Sequence, residues 1–255
     1  MSIMSTLKLR RITRCLTDLI YPRFCTLCYK PIPDEFAARR DCDLCEGCIR
    51  ELTFTAGFSC QRCGFFRPLE RLGCHICELR RYHFERTWVL GEYANHLKRA
   101  VLAIKSSSGR PLANALGALL SKRVRLDIEY YDEPVDVVIP VPTHWKRRLV
   151  RRGSSVDIIA KQIASALSVR CPDRFLKVTR IACKQGTLDA ASRRINVKDL
   201  FAIRQKKHMH AYRGKSVLLV DDIMTSGATL NELSLLLLRN GVRQVRCATV
   251  ARGAA

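Results

Sequence analysis

Val217-Leu218-Leu219-Val220-Asp221-Asp222-Ile223-Met224-Thr225-Ser226-Gly227-Ala228-Thr229-Leu230 decides how this chain folds. An uninterrupted apolar run ends in two carboxylates, and a small, hydroxyl-rich turn leads on into a helical pattern. Such a run reads as a strand buried on both faces, with its polar groups emerging together at the carboxyl end. In open parallel α/β sheets that end is where ligands bind. The turn from Thr225 to Thr229 would open backbone N–H groups at a helix N-terminus, a ready anion site. Two acids beside such a cradle suit a phosphorylated sugar: the carboxylates accept hydrogen bonds from ribose hydroxyls while the amides hold the 5′-phosphate. The bland alternative is a strand end whose acids only cap the next helix. The strand-turn-helix context favours the sugar phosphate.

Outward from that stretch, strands and helices alternate. Trp88–Tyr93 reads as a strand and Leu97–Ile104 as a helix, followed by a Ser106–Gly109 loop and by Pro111 at a first helical position. Leu112, Leu116, Leu119, Leu120 and Val124 make one helical face. Val135–Val141 is a strand closed by Pro140 and Pro142, and Val156, Ile159, Ile163 and Leu167 mark the next helix. Further strands are expected at 175–181, 216–220 and 244–250, with a helix from Thr229 to Arg239 that Gly241 closes. Alternation of this kind predicts an α/β fold with a mainly parallel, doubly wound sheet.

The front of the chain is different. Of 13 cysteines, ten lie before residue 80. Cys25/Cys28 and Cys45/Cys48 flank one loop; Cys60/Cys63 and Cys74/Cys77 flank a shorter one. Each Cys-x2-Cys is a tight knuckle aiming two sulfurs at one point, and two knuckles complete a tetrahedron. Zinc stabilises a region with too few apolar residues for a core, so two structural Zn2+ sites are expected. Sequential pairing gives two ribbons in tandem, alternate pairing a cross-braced module; the shorter closed loops favour the first. Cys42 could replace Cys45 or Cys48, but the run Cys45-Glu-Gly-Cys48-Ile leads more naturally onward, so Cys15, Cys42, Cys171, Cys183 and Cys247 read as free or buried thiols and His75 as a bystander. The odd count, the spacing and the lack of a secretion signal favour metal ligation in a reducing cytoplasm over disulfides. The expected division is 1–85 for an N-terminal helix with the cysteine module and 86–255 for the α/β domain.

The 255 residues have room for both units, and 47% hydrophobic with 27% charged residues is a globular composition. No apolar run is long enough for a transmembrane span. The stretch 7–16 is basic and mildly amphipathic, which fits a packing helix better than a peripheral membrane or targeting helix. A formal net charge of +22 attracts polyanions, nucleic acid first. The densest cluster is Lys146-Arg147-Arg148-Leu149-Val150-Arg151-Arg152. Charge alone discriminates poorly, since many basic proteins simply wear a solvated positive surface.

Asp221-Asp222 with Thr225-Ser226-Gly227-Ala228-Thr229 resembles the phosphoribosyl-pyrophosphate (PRPP) signature of type I phosphoribosyltransferases, which carry two acids and then Thr-Thr-Gly-x-Thr. Ser226 replaces the second Thr. The cysteine knuckles, Ile139-Pro-Val-Pro142, Arg152-Gly153, Gln185 with Arg193-x-x-Asn196, and the PRPP string follow one another as in the ComF family. That family, which includes the GntX proteins, pairs a double zinc ribbon with a phosphoribosyltransferase-type domain. It is associated with uptake of single-stranded DNA in natural competence.

The resemblance implies that Asp221 and Asp222 hold the ribose hydroxyls with Mg2+, as catalytic residues if the domain is an enzyme. Thr225, Ser226, Gly227, Ala228 and Thr229 would form the 5′-phosphate loop. Lys105 would meet phosphate, or stand solvated, and Arg147, Arg148, Arg151 and Arg152 would meet diphosphate or a DNA backbone. Gln185, Arg193 and Asn196 match the family motif without an assigned role. One departure is plain: after Arg152-Gly153 the family shows an aromatic residue, Asn and Gln, but this chain has Ser154, Ser155 and Val156. Ser154 or Ser155 there reads as a helix cap.

Three functions follow as expectations. The first is a ComF-type protein that binds PRPP-like phosphates and handles single-stranded DNA, alone or with other competence proteins. The second is a nucleobase-salvage phosphoribosyltransferase; the third is a catalytically inactive nucleic-acid-binding scaffold.

Overall fold

The apolar run from Val217 lies at the centre of a parallel sheet because both of its faces need cover. The computed structural model describes residues 22–32, 43–53, 58–67, 73–132, 134–142, 154–179, 197, 199–204 and 206–254. The cysteine-rich front contributes α1 (Glu46–Thr53), β1 (Phe58–Ser59), β2 (Phe66–Arg67) and α2 (His75–Leu79). After it come β3 (Thr87–Glu92), α3 (Asn95–Ala103), α4 (Arg110–Tyr131), β4 (Val137–Pro140) and α5 (Ser155–Ala166). The chain continues through β5 (Leu176–Val178), β6 (Phe201–Ile203), a 3-10 turn (Lys206–Tyr212), β7 (Ser216–Met224), α6 (Ala228–Arg239) and β8 (Gln244–Arg252).

Four strands form the main sheet in the order β3-β8-β7-β4, every neighbouring pair parallel. Val217, Leu218, Leu219 and Val220 are all fully buried, each contributing roughly 1.5–3 kcal/mol as an upper bound. Leu218 and Val220 pack with Leu116, Leu120, Ile159 and Ile163 of α4 and α5. Val217 and Leu219 pack on the other face with Leu230, Leu233 and Leu237 of α6 and with Ile203 of the small β5–β6 ribbon. The cysteine-rich front divides between these layers. Cys25, Cys48 and Leu52 join the α4–α5 core, whereas Cys63, Ile76, Tyr82 and Phe84 join the α6 core.

Most elements stand where the pattern predicts, and the differences have physical causes. The strand expected to stop at Val220 runs on to Met224, because β8 continues beside it and pairs as far as Arg252 with Met224. Neighbouring β4 ends at Pro140, opposite Val220, so β7 extends alone on that side. Pro111 sits one place after Arg110, still within the first turn of α4, where no N–H is missed. Leu112, Leu116, Leu120 and Val124 of the predicted face are buried, with Leu119 at its margin. After α6 the Gly241 N–H donates to the Leu238 carbonyl at 3.0 Å and the Val242 N–H to that of Leu237 at 3.2 Å, closing the helix. Ser154 takes the N-cap position of α5 but makes no capping bond, and its buried hydroxyl has no partner among the described residues. Among the described residues no helix is long and apolar enough to cross a membrane. The expected helix at 7–16, Cys15, Cys42 and Cys183 lie outside the described residues.

Candidate functional site

Asp221 and Asp222 stand where β7 outruns β4, both partly accessible. Strand residues normally alternate faces, yet the alternation changes phase across this pair. Before it the even residues Leu218 and Val220 pack on the α4–α5 side; after it the odd residue Ile223 does, and Met224 joins the α6 side. The two carboxylates consequently share one neighbourhood. The Asp222 N–H donates to Asp221 Oδ1 at 2.9 Å. Burial, and then the Asp222 charge, push the Asp221 carboxyl well above its ordinary value, against the smaller lowering effects of the Asp222 N–H and of Lys105.

Lys105 pairs directly with the second acid, its Nζ 2.9 Å from Asp222 Oδ2, with side chains 27% and 19% exposed. It follows α3 at the start of a tight loop in which the Lys105 and Ser106 N–H groups donate to the Leu102 and Ala103 carbonyls, each at 3.1 Å. Gly109 lets the loop close: a Cβ there would lie 2.5 Å from both the Ala103 carbonyl oxygen and Ile104 Cα. The lysine expected to meet phosphate or solvent is thus held against the acid pair.

Thr225 to Thr229 turn the chain from β7 into α6. Gly227 is the N-cap residue with φ +75°, and a Cβ on it would come within 2.7 Å of Met224 Cε and 2.9 Å of Tyr82 Cε1. Glycine is therefore required twice, by backbone and by contact. The loop is held from behind. Tyr82 donates its hydroxyl to the Ser226 carbonyl at 3.1 Å, and Arg80 Nη1 adds a longer contact at 3.4 Å. Arg252, 3% exposed, reaches the Met224 carbonyl at 3.1 Å through Nη1, and the Thr225 and Gly253 carbonyls as well. Its Nε donates to the Cys63 carbonyl at 2.9 Å, and Phe65 lies over the guanidinium at 5.5 Å. Burial lowers the pKa of this arginine.

The eight knuckle cysteines form two clusters, Cys25/Cys28/Cys45/Cys48 and Cys60/Cys63/Cys74/Cys77, each with its sulfurs within 4.8 Å of one another. The sequential pairing expected from loop length is the one present. Sulfur separations are 3.7 Å for Cys28–Cys45, 3.8 Å for Cys60–Cys77 and 3.6 Å for Cys63–Cys74. A tetrahedral zinc with bonds of about 2.3 Å demands sulfurs about 3.8 Å apart, so both clusters fit Zn2+. Bare thiols at this spacing compete for protons: the hydrogen bond from Cys63 draws Cys60 down to about 4, and the same contact pushes Cys63 up. His75 packs edge-on against Phe65, with ring centroids 5.1 Å apart, outside the sulfur cluster. Cys247 is a buried free thiol and Cys171 a partly buried one.

The structure thus brings together Asp221, Asp222, Lys105 and the turn 225–229. Arg147, Arg148, Arg151, Arg152, Gln185, Arg193 and Asn196 lie outside the described residues. Arg80, Tyr82 and Arg252, which reach the carbonyls of the turn, belong to none of the sequence motifs. Arg252 did leave a signal, since a charge closing the otherwise apolar run Val245–Ala251, apart from Arg246 and Thr249, needs a buried partner.

A parallel sheet with paired acids and a glycine turn at the carboxyl end of an inner strand resembles a phosphoribosyltransferase-type domain, here joined to two four-cysteine clusters. The family model described as phosphoribosyl transferase domain matches residues 152–255. Over most of its length the chain resembles the ComF family. It is 27% identical to Competence protein F of Haemophilus influenzae over 210 residues, 82% of this chain and 90% of that protein. With the DNA utilization protein YhgH of Shigella flexneri it shares 29% identity over 230 residues, 89% of this chain and 96% of that one. Among solved structures, one described as the allosteric regulatory enzyme of purine biosynthesis covers 56% of this chain and 26% of its own, at 20% identity and a TM-score of 0.35. That superposition is too distant to bear on the site.

Proposed function

We propose that the chain binds PRPP or a similar sugar phosphate together with Mg2+, and that it serves the handling of single-stranded DNA in the cytoplasm. One observation carries the reading: the adjacent acids, the left-handed Gly227 and the start of α6 follow one another at the carboxyl end of the central strand. Asp221 and Asp222 accept from the ribose hydroxyls, and the turn 225–229 holds the 5′-phosphate through its amides. Carboxylate oxygens are also the donor type that Mg2+ takes beside phosphate; when bound, the ion offsets diphosphate charge. Lys105 exchanges partners on binding, its Nζ passing from Asp222 to a phosphate oxygen. Arg147, Arg148, Arg151 and Arg152 meet diphosphate or a nucleic-acid backbone. The names of the relatives, one for competence and one for DNA utilization, support the DNA half of the proposal.

Titration calorimetry with PRPP and Mg2+ tests the site. The wild type should bind, and the double variant Asp221→Asn plus Asp222→Asn should lose at least tenfold in affinity; equal binding by both removes the assignment. The transfer chemistry open to such a site is displacement of diphosphate from C1′ by an acceptor. Diphosphate release with purines or pyrimidines would indicate nucleobase salvage.

A second reading is a nucleic-acid-binding scaffold without turnover, favoured by the +22 charge and by the Lys105–Asp222 pair that already satisfies one acid. It predicts single-stranded DNA binding that weakens steeply with salt as counterion release is suppressed, and no diphosphate release with any nucleobase.

A further inference from the structure

The amides of a phosphate loop can point forward only if the carbonyls preceding them are held back, because C=O and the next N–H are antiparallel across a planar trans peptide. Three successive carbonyls in this turn are held in that way. The Met224 carbonyl accepts from Arg252 Nη1 at 3.1 Å and from the Gly253 N–H at 2.9 Å. The Thr225 carbonyl accepts from the same Arg252 nitrogen, and the Ser226 carbonyl from the Tyr82 hydroxyl at 3.1 Å. The N–H groups of Thr225, Ser226 and Gly227 are thereby aimed away from these donors.

The donors are fixed in turn by the second cysteine cluster. Arg252 is tied to the Cys63 carbonyl, at the end of the knuckle that starts at Cys60, and covered by Phe65 two residues further on. Arg62, between the two ligands Cys60 and Cys63, donates to the Tyr82 carbonyl at 2.8 Å. Next to Tyr82, the His83 N–H donates to Asn231 Oδ1 at 2.7 Å, in the first turn of α6. The module has little else to hold its shape, with strands of two residues each and, among the described residues of 58–79, Cys63, Gly64 and Ile76 as the buried ones. Such a region depends on its metal.

We infer that the Cys60/Cys63/Cys74/Cys77 module is a brace that orients the amides of the phosphate loop, with Tyr82 and Arg252 as positioning residues that transmit its geometry. The inference rests on the sugar-phosphate reading of the loop only for its effect on affinity; the brace itself is a property of the ligand-free protein.

The test uses the full zinc-loaded chain, with Tyr82→Phe and Arg252→Lys beside the wild type. Three quantities are measured: zinc content, hydrogen exchange of the amides at 225–229 without ligand, and affinity for PRPP with Mg2+. Tyr82→Phe removes one hydroxyl and should raise exchange at 225–229 and weaken PRPP about fivefold, with zinc content unchanged. Arg252→Lys loses the planar fork and should weaken it about tenfold or more. Should Arg252→Lys fail to fold, Tyr82→Phe carries the test alone. Unaltered exchange at 225–229 in every variant that folds overturns the brace. If exchange rises but even the wild type ignores PRPP, the brace stands and the sugar-phosphate reading falls. If the wild type binds PRPP and the variants match it in both affinity and exchange, the reading stands and the brace falls.

Discussion

The two cysteine clusters use the same knuckles and the same sulfur spacing, but they meet the sheet on opposite faces and by different means. The first meets it chiefly by packing. Leu52 at the end of α1 is buried, and its carbonyl oxygen lies 2.8 Å from where a Cβ on Gly91 would stand. The second meets it through polar groups: Arg252 of β8 is tied to the Cys63 carbonyl and, with Tyr82, donates to carbonyls of the 224–226 turn. On the brace proposed above, two like four-cysteine groups, each able to hold Zn2+, would support stability alone in one place and stability together with the geometry of the 224–226 turn in the other.

Breaking one cluster at a time should have the largest effect. Cys25→Ser and Cys63→Ser should each lose one zinc by metal analysis and lower the melting temperature by about 10 °C. Only Cys63→Ser should also cut PRPP affinity by well over tenfold, and equal losses from both would erase the contrast. Next comes Gly227→Ala, which forces a Cβ against Tyr82 and Met224 at a φ that disfavours it. A cost of about 1–3 kcal/mol is expected in a denaturant melt, with a matching loss of PRPP binding.

The acid pair sharpens the contrast from the ligand side. Asp221 titrates above its ordinary value of 3.8, so the folded chain keeps this proton to higher pH than the unfolded one. Its contribution to stability is present below 3.8 and lost as pH rises through the folded pKa, by at most about 1.4 kcal/mol per pH unit. Mg2+-dependent PRPP binding should strengthen over the same window, and Asp221→Asn should flatten the stability profile. The smallest effect is expected at the first cluster's surface, where His96 Nδ1 lies 3.4 Å from Glu51 with both side chains exposed. His96→Ala should change stability by about 0.5 kcal/mol or less and leave PRPP affinity alone.

What could be read from the chain, and what could not, divides along similar lines. The Val217–Val220 strand, the acids behind it and the paired Cys-x2-Cys knuckles are local patterns with fixed periods, and short closed loops favoured the cysteine pairing that forms. Contacts between distant segments left far weaker traces. Tyr82 and Ser226 are 144 positions apart, and nothing near either announces the bond between them. The extension of β7 to Met224 depends on β8 running alongside it, and the hold of Lys105 on Asp222 depends on α3 ending beside the acids. Ser154 shows the reverse failure, a residue type suited to capping that occupies the cap position without making the bond.

The order of strands carries one more consequence. In the four-stranded sheet β3, its earliest strand in chain order, has β8, its latest, as its neighbour. A ribosome therefore releases the cysteine-rich front and β3 long before the partner of that strand exists. Until residues 244–252 arrive, the Cys63 carbonyl lacks Arg252 and a row of backbone groups on β3 stays open to any passing strand. Early zinc capture would let the front hold its shape through that wait, and a chain cut before Gln244 should be prone to clump rather than simply be less stable.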